Sequence, residues 1–107
     1  DHEVNTDFTY FLEEFLLFYK NLFLQPNNHN KNDNTNALPI PTTKCRIYMT
    51  GESHAGHYIP SMMDFILSRT SQNDRIRVDI QFAGAAIGNG WIDPYHQYAG
   101  ADAAYAA

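Results

Sequence analysis

A serine set among small residues is the feature of this sequence that could carry covalent chemistry. Ser53 lies inside the run Gly51-Glu52-Ser53-His54-Ala55-Gly56. The residues before it, Arg46–Thr50, predict a short strand, and the periodicity of residues 57–69 predicts a helix. A serine in a tight turn between a strand and a helix is typical of a nucleophile elbow, where small neighbours are needed because bulky side chains would clash. The spacing therefore predicts Ser53 as a catalytic nucleophile.

The predicted helix after the turn would supply the second part of such chemistry. Its N-terminus would point towards Ser53, and its dipole and free N–H groups would favour the negative charge of a tetrahedral intermediate. The backbone N–H of His54, the residue after the serine, is the expected oxyanion-hole donor. The generic pattern G-x-S-x-G has glycine where this chain has Ala55, with Gly56 one place later. An ordinary Gly/Ser turn without chemistry is the alternative interpretation of the pattern alone.

The elements around the turn predict an α/β fold. Residues 8–24 have the periodicity of an amphipathic helix, and the alternating run from Ile76 to Phe82 continues through small apolar residues to Ile87 as a strand. The order helix, strand, turn, helix, strand favours a parallel sheet. Residues 25–43 interrupt this order with a polar, asparagine-rich insert, which we expect to be disordered.

The first predicted helix carries an aromatic stripe. Its apolar face is expected to comprise Phe8, Phe11, Leu12, Phe15, Phe18, Tyr19, Leu22 and Phe23, with Thr9, Glu13, Lys20 and Asn21 away from it. The helix start is expected near Asn5, Thr6 or Asp7, any of which could cap it. Nothing else in the chain looks large enough to cover this stripe, so part of its packing partner is expected to be missing.

Composition excludes several kinds of site. The chain has 107 residues and a formal net charge of −5, which argues against nucleic acid as a partner because phosphate binding needs a basic surface. Its five histidines are scattered and Cys45 is its one cysteine, so neither a metal site nor another cofactor is expected. Cys45 is interpreted either as a small buried hydrophobe at the start of a strand or as a disulfide partner of a cysteine outside the chain. Charges within residues 8–24 argue against a membrane span.

Two longer strings make the interpretation more specific. Gly51–Pro60 closely resembles the signature of the serine carboxypeptidases, a family of the α/β-hydrolase fold that usually has Tyr at the position of His54. Ile87–Pro94 also resembles that family, and Trp91 followed by Gln97-Tyr98 is most similar to its prohormone-processing branch. The resemblance implies that residues 1–107 are a central fragment of a larger α/β-hydrolase domain.

The resemblance also implies roles for particular residues. Ser53 would form an acyl-enzyme, and Glu52 would help to recognise the free carboxylate at the C-terminus of a peptide or protein substrate. A Glu binds a carboxylate only if one of the two holds a proton, so peptide binding should be tighter at acidic pH. Glu52 could instead be a solvated turn residue. Asn89 and Trp91 are candidate substrate contacts, with a turn residue and a core residue as the respective alternatives.

The rest of a catalytic triad is not assigned in this chain. An acid and a histidine should follow the serine from later loops, whereas Asp93 and His96 are only three residues apart. A second oxyanion donor should come from an earlier glycine-rich loop, and none precedes Ser53. The isolated chain is therefore expected to be inactive. The resemblance further implies a vacuolar, lysosomal or secretory location.

Two alternatives stay open at this point. The protein could be a non-catalytic pseudoenzyme or binding protein that keeps the turn as structure, or an esterase, lipase or acyltransferase of the same fold. Glu52 disfavours the second alternative, because a residue that recognises a carboxylate suits peptides with a free C-terminus. The sequence predicts neither the preferred C-terminal residue nor the oligomeric state.

Overall fold

The computed structural model describes residues 2–26, 40–69 and 75–99. Four helices and four strands are assigned within these ranges. In chain order they are α1 (His2–Phe18), α2 (Lys20–Phe23), β1 (Leu24–Gln25), β2 (Thr42–Thr43), β3 (Ile47–Glu52), α3 (Ala55–Ser68), β4 (Phe82–Gly88) and α4 (Pro94–Ala99). In the described part of the chain, no helix is both long enough and apolar enough to cross a membrane.

The first helix begins earlier than its apolar periodicity predicts. It runs from His2 to Phe18, and after a turn at Tyr19 the short α2 continues the chain. The three predicted capping residues, Asn5, Thr6 and Asp7, therefore lie inside the helix, and their prediction as caps is wrong. The Thr6 hydroxyl donates to the His2 carbonyl oxygen (2.8 Å), and the Thr9 hydroxyl donates to that of Asn5 (2.7 Å). These back-bonds satisfy the hydroxyls within the helix, so the residues continue it rather than start it.

The buried face of α1 also differs from the prediction. The helix buries Asn5, Thr9, Glu13 and Leu16, whereas Phe11 and Phe18 are 61% and 80% exposed. Asn5 and Glu13 can be buried because their side chains have hydrogen-bond partners outside the helix. The Asn5 amide nitrogen donates to the Ser61 hydroxyl (2.8 Å). The Glu13 carboxylate accepts from Arg69 (3.1 Å) and from the Arg77 backbone N–H (3.2 Å).

The two ends of the predicted asparagine-rich insert are ordered. Strand β1 pairs antiparallel with β2, with Leu24 opposite Thr43 and Gln25 opposite Thr42. The prediction of disorder over residues 25–43 is therefore wrong at both ends. The central part of that prediction covers residues 27–39, which lie outside the described residues. Cys45, just before β3, is exposed and free, so its interpretation as a buried hydrophobe is also wrong.

The central pair of strands is parallel, as the order of the elements predicts. Strand β3 pairs with β4 from Ile47 opposite Phe82 to Glu52 opposite Gly88, and α3 lies on the connection between them. The ladder begins at Phe82 rather than at Ile76. Before it, Val78 and Ile80 are nevertheless buried. The alternation in this segment thus predicted burial correctly, but not the start of the strand.

A small apolar core joins α1, β1, α3 and the segment before β4. Its buried members are Leu16, Leu24, Ile66, Val78 and Ile80, and partly buried side chains from α1, β3 and β4 pack against it. Since β3 and β4 are parallel, their carboxyl ends lie at the same edge, where ligand sites of open α/β sheets are found. Ser53 and Asn89 follow these two strand ends directly.

Candidate active site

Ser53 occupies a strained backbone conformation between β3 and α3. Its φ of +57° lies in the left-handed region, which costs a non-glycine residue on the order of 1–3 kcal/mol. Three backbone hydrogen bonds offset this strain. The Ser53 N–H donates to the Gly88 carbonyl oxygen (2.9 Å), and the Ser53 carbonyl oxygen accepts from Gly56 (3.0 Å) and Trp91 (2.7 Å). The backbone of Ser53 is thus fixed by contacts with the end of β4, the loop after it and the start of α3, while the residue itself stays exposed.

Close packing explains where the turn needs glycine. A Cβ on Gly56 would lie 2.7 Å from the Trp91 nitrogen and 2.9 Å from two atoms of Gly90, all of them backbone. A Cβ on Gly51 would overlap the Ala55 Cβ. Ala55 is therefore tolerated because its neighbour across the turn is glycine. The second obligatory glycine of this turn is at position 56, which accounts for the departure from the generic motif.

The start of α3 offers a hydrogen-bond donor beside the serine. His54 occupies the N-cap position with φ −62° and ψ −17°, and its side chain makes no capping hydrogen bond. Among the described residues, its backbone N–H has no acceptor, whereas its carbonyl oxygen accepts from His57 (3.0 Å) and Tyr58 (3.3 Å). A free N–H at a helix N-terminus can stabilise an oxyanion. This geometry suits the predicted role of the His54 backbone.

The His54 ring belongs to an aromatic group that covers one side of the turn. Its centroid lies 4.6 Å from that of Tyr58 and 4.9 Å from that of Trp91, and the Trp91 ring lies 6.1 Å from that of Tyr98. Trp91 is half-buried, and its Nε1 is buried without a hydrogen-bond partner in the described part of the chain. The Trp91 indole therefore packs against one side of the turn, and its Nε1–H is a buried hydrogen-bond donor.

A pocket of about 310 Å³ opens beside the serine. It is lined by Ser53, Asn89, Gly90, Trp91, Gln97 and Tyr98. The structure thus brings three predicted site residues together, namely Ser53, Asn89 and Trp91. Asn89 has a φ of +45°, so it is a turn residue and a pocket residue at once. Glu52 is exposed at the end of β3, outside the residues that line this pocket.

Three lining residues, Gly90, Gln97 and Tyr98, were not predicted as site residues. The signal that could have found Gln97 is the Asp93-Pro94 pair, because Asp at an N-cap followed by Pro at the first helical position marks a helix start. Residue 97 then lies one turn into that helix and can reach back to the loop before it. The sequence offered no comparable signal for Tyr98.

Asp93 and His96 form a local structure at the start of α4. One Asp93 oxygen accepts from the backbone N–H groups of Tyr95 (3.1 Å) and His96 (3.3 Å), and the other lies 2.5 Å from His96 Nδ1. The hydrogen bond from the His96 side chain, followed by those from the backbone, lowers the pKa of Asp93. Neither residue lines the pocket of Ser53. The pair caps a helix, and nothing in its position makes it the missing acid and base.

A strained serine between a parallel strand and a helix, followed by a free backbone N–H, has the geometry of the nucleophile elbow of α/β-hydrolases. Comparison with protein families defines the chain further. The family model for serine carboxypeptidases matches residues 38–106. The chain belongs to the serine carboxypeptidase family, whose fold is that of the α/β-hydrolases. No solved structure showed a significant match.

Several curated proteins are similar to the chain. Serine carboxypeptidase S10 family member 2 of Dictyostelium discoideum is 32% identical over 91% of the chain and 14% of its own length. Pheromone-processing carboxypeptidase KEX1 of Phytophthora infestans is 36% identical over 82% of the chain and 14% of its own length. The KEX1 of Tuber melanosporum is 48% identical over 49% of the chain and 8% of its own length. The chain thus spans about one seventh of the first two relatives.

Proposed function

We propose that the full-length protein is a serine-type carboxypeptidase, which removes C-terminal residues from peptides or proteins with Ser53 as its nucleophile. The observation that carries this proposal is the left-handed, hydrogen-bonded backbone of Ser53 at the junction of β3 and α3. Membership of the serine carboxypeptidase family supports it. On this proposal the chain is the central strand–elbow–helix–strand part of an α/β-hydrolase domain, completed by residues outside it.

The proposed reaction is an acyl transfer in two stages. The Ser53 hydroxyl oxygen attacks the carbonyl carbon of the last peptide bond, and its proton passes to a base outside the chain. The C–N bond then breaks, the C-terminal residue leaves with a proton on its nitrogen, and the rest of the peptide stays as an ester on Ser53. Water hydrolyses the ester. The His54 N–H and the dipole of α3 stabilise the oxyanion of each tetrahedral intermediate.

Three neighbouring residues are proposed to hold the substrate. Asn89 and Trp91 line the pocket that contains Ser53, which supports direct contact with the peptide. Glu52 precedes the serine and has an exposed side chain at the end of β3, where it could share a proton with the C-terminal carboxylate of the peptide. One proton is needed because two ionised carboxylates would repel each other.

The relatives suggest the class of substrate and the place of action. Two of those described above are named pheromone-processing carboxypeptidases, so we propose peptides trimmed during maturation as substrates of this protein. We further propose a vacuolar, lysosomal or secretory location, because peptides of that kind are processed there. We propose no cofactor for the reaction and no nucleic acid as a partner.

A probe of the serine and a pair of peptides test the function. Full-length protein should be labelled by a fluorophosphonate at Ser53, and Ser53→Ala should abolish both labelling and peptide hydrolysis. Ser68→Ala, which removes an exposed hydroxyl that donates to the Phe65 carbonyl oxygen, is the matched control and should retain both. The enzyme should cleave a free-acid peptide and spare its C-terminal amide. Absence of labelling would support a pseudoenzyme, and cleavage of esters but not of peptides would support an esterase.

A further inference from the structure

The loop between β4 and α4 is joined to the backbone of the nucleophile. The Trp91 N–H in this loop donates to the Ser53 carbonyl oxygen (2.7 Å). Gly90 is packed so tightly against the start of α3 that a Cβ on Gly56 would meet its backbone at 2.9 Å. The loop is also a wall of the pocket beside Ser53. Its position and the position of the serine backbone therefore cannot change independently.

The side-chain amide of Gln97 fastens this loop from the other side. Its Oε1 accepts from the backbone N–H groups of Ile92 (2.9 Å) and Asp93 (3.1 Å), and its Nε2 donates to the Gly90 carbonyl oxygen (2.8 Å). These three backbone groups flank Trp91 in the chain. Among the described residues they have no other hydrogen-bond partner. One side chain thus holds both ends of the segment that carries the Trp91 N–H.

The requirements of this contact are specific to glutamine. Two N–H groups face one end of the side chain and a carbonyl oxygen faces the other, so the residue must both accept and donate at its tip. An ionised Glu accepts but cannot donate, and Ala does neither. Helix α4 presents the side chain at the right distance, because Asp93 caps the helix and the Gln97 N–H donates to the Asp93 carbonyl oxygen (2.9 Å).

We infer that Gln97 is a positioning residue for the nucleophile, an inference that rests on the proposed carboxypeptidase function. It acts on Ser53 through the Gly90–Asp93 loop and the Trp91 N–H, and it lines the pocket without taking part in bond making. Loss of the amide releases the loop and lets the serine backbone relax from its strained conformation. Misplacement of a reacting group by about 1 Å can cost on the order of 100-fold in rate.

The test compares Gln97→Glu with the wild type in the full-length enzyme at a series of pH values. When ionised, the new carboxyl cannot donate to Gly90, and kcat should fall by up to about 100-fold. When protonated, as for an ordinary Glu below about pH 4.3, it can donate again, and the ratio of variant to wild-type kcat should rise towards one. The other titratable groups of this region, among them Glu52, His54, Asp93, His96 and Tyr98, are present in both enzymes and cancel in the ratio. Gln97→Ala should be impaired at every pH.

Two further measurements separate the possible outcomes. Hydrogen exchange of the peptide that contains Ile92 and Asp93 should accelerate in Gln97→Ala, and Gln25→Glu, an exposed change of the same kind elsewhere, should alter neither exchange nor rate. A pH-independent ratio for Gln97→Glu, or unchanged exchange in Gln97→Ala, would overturn the inference in an enzyme whose wild type is active. A wild type that neither cleaves peptides nor binds a fluorophosphonate would overturn the proposed function, and the role of Gln97 as a positioning residue with it.

Discussion

The turn at Ser53 and helix α1 are organised by different parts of the chain. At the turn, one packing constraint comes from a close neighbour, since a Cβ on Gly51 would overlap that of Ala55, and a second comes from the contact of Gly56 with the loop at Gly90 and Trp91. In α1, the buried face is defined by residues far along the sequence. Glu13 pairs with Arg69, 56 positions away, and accepts from the Arg77 N–H, 64 positions away. Local geometry at the turn can be predicted from a short string, whereas the orientation of the helix cannot.

The two regions also differ in what they leave exposed. The turn exposes a polar serine beside a pocket, as a site must. Helix α1 exposes Phe11 and Phe18 and buries a carboxylate that is only 3% exposed. Burial of a charge requires a partner, and a large exposed aromatic surface is typical of a contact with other chain segments or molecules. The helix therefore contacts α3 through Leu16 in the apolar core and through the ion pair of Glu13 with Arg69, while part of its aromatic stripe stays exposed.

The largest expected effect is a loss of folding stability when the buried ion pair of Glu13 and Arg69 is broken. Glu13→Ala would leave the Arg69 guanidinium, whose side chain is 8% exposed, without its carboxylate partner. Removal of one member of a buried pair costs about 3–5 kcal/mol, and the Arg69 Nε already has no partner among the described residues. We expect a loss of that size in the free energy of unfolding of the full-length protein, measured by urea titration.

The neighbouring glutamate provides the control for this prediction. Glu14 pairs with Arg77, but its side chain is 46% exposed, and exposed pairs contribute little because solvent screens them. The hydrogen bond from Arg77 to Glu14 raises the pKa of Arg77, so the guanidinium keeps its charge. Glu14→Ala should leave the unfolding curve nearly unchanged. Equal effects of the two substitutions would show that the buried face of α1 has been identified wrongly.

An intermediate effect is expected at the turn, where two glycines form a matched pair. A Cβ on Gly56 would meet backbone atoms of Gly90 and Trp91 at 2.7–2.9 Å, whereas a Cβ on Gly88 would meet only the Glu52 Cγ at 3.8 Å. Gly56→Ala should therefore push the Trp91 loop away, with a cost of about 1–3 kcal/mol for overpacking. It should also slow fluorophosphonate labelling of Ser53. Gly88→Ala should do neither, and a normal labelling rate in Gly56→Ala would contradict the proposed coupling of loop and serine.

The same contrast explains how much of the molecule could be predicted from its sequence. The strand–turn–helix order around Ser53 and the parallel pairing of β3 with β4 were predicted correctly, because they depend on runs of neighbouring residues. The predicted face of α1 was correct for Phe8 and Leu12, which pack against the core, and wrong for the exposed Phe11 and Phe18. No periodicity reveals that Glu13 meets Arg69. The contact of Gln97 with Gly90 was missed for a similar reason, because it depends on the path of the loop between β4 and α4. The roles of Ser53, His54 and Glu52 in catalysis stay predictions, because they depend on contacts with a substrate and a base that the neighbouring residues do not specify.

The smallest effect expected concerns the side chain of Glu52, which the geometry of the turn leaves unconstrained. If it shares a proton with the substrate carboxylate, binding takes up one proton, and KM for a free-acid peptide should rise with pH by at most about tenfold per unit. In the Glu52→Gln variant, the side-chain amide can donate a hydrogen bond to the substrate carboxylate without taking up a proton. The KM of this variant should therefore depend much less on pH and should be lower than that of the wild type at neutral pH. Glu14→Gln, on the exposed part of α1, is the control and should keep the wild-type profile. Parallel pH profiles of KM for wild type and Glu52→Gln would mean that Glu52 is a solvated turn residue. The turn would then position Ser53 but contribute no side chain to binding of the substrate carboxylate.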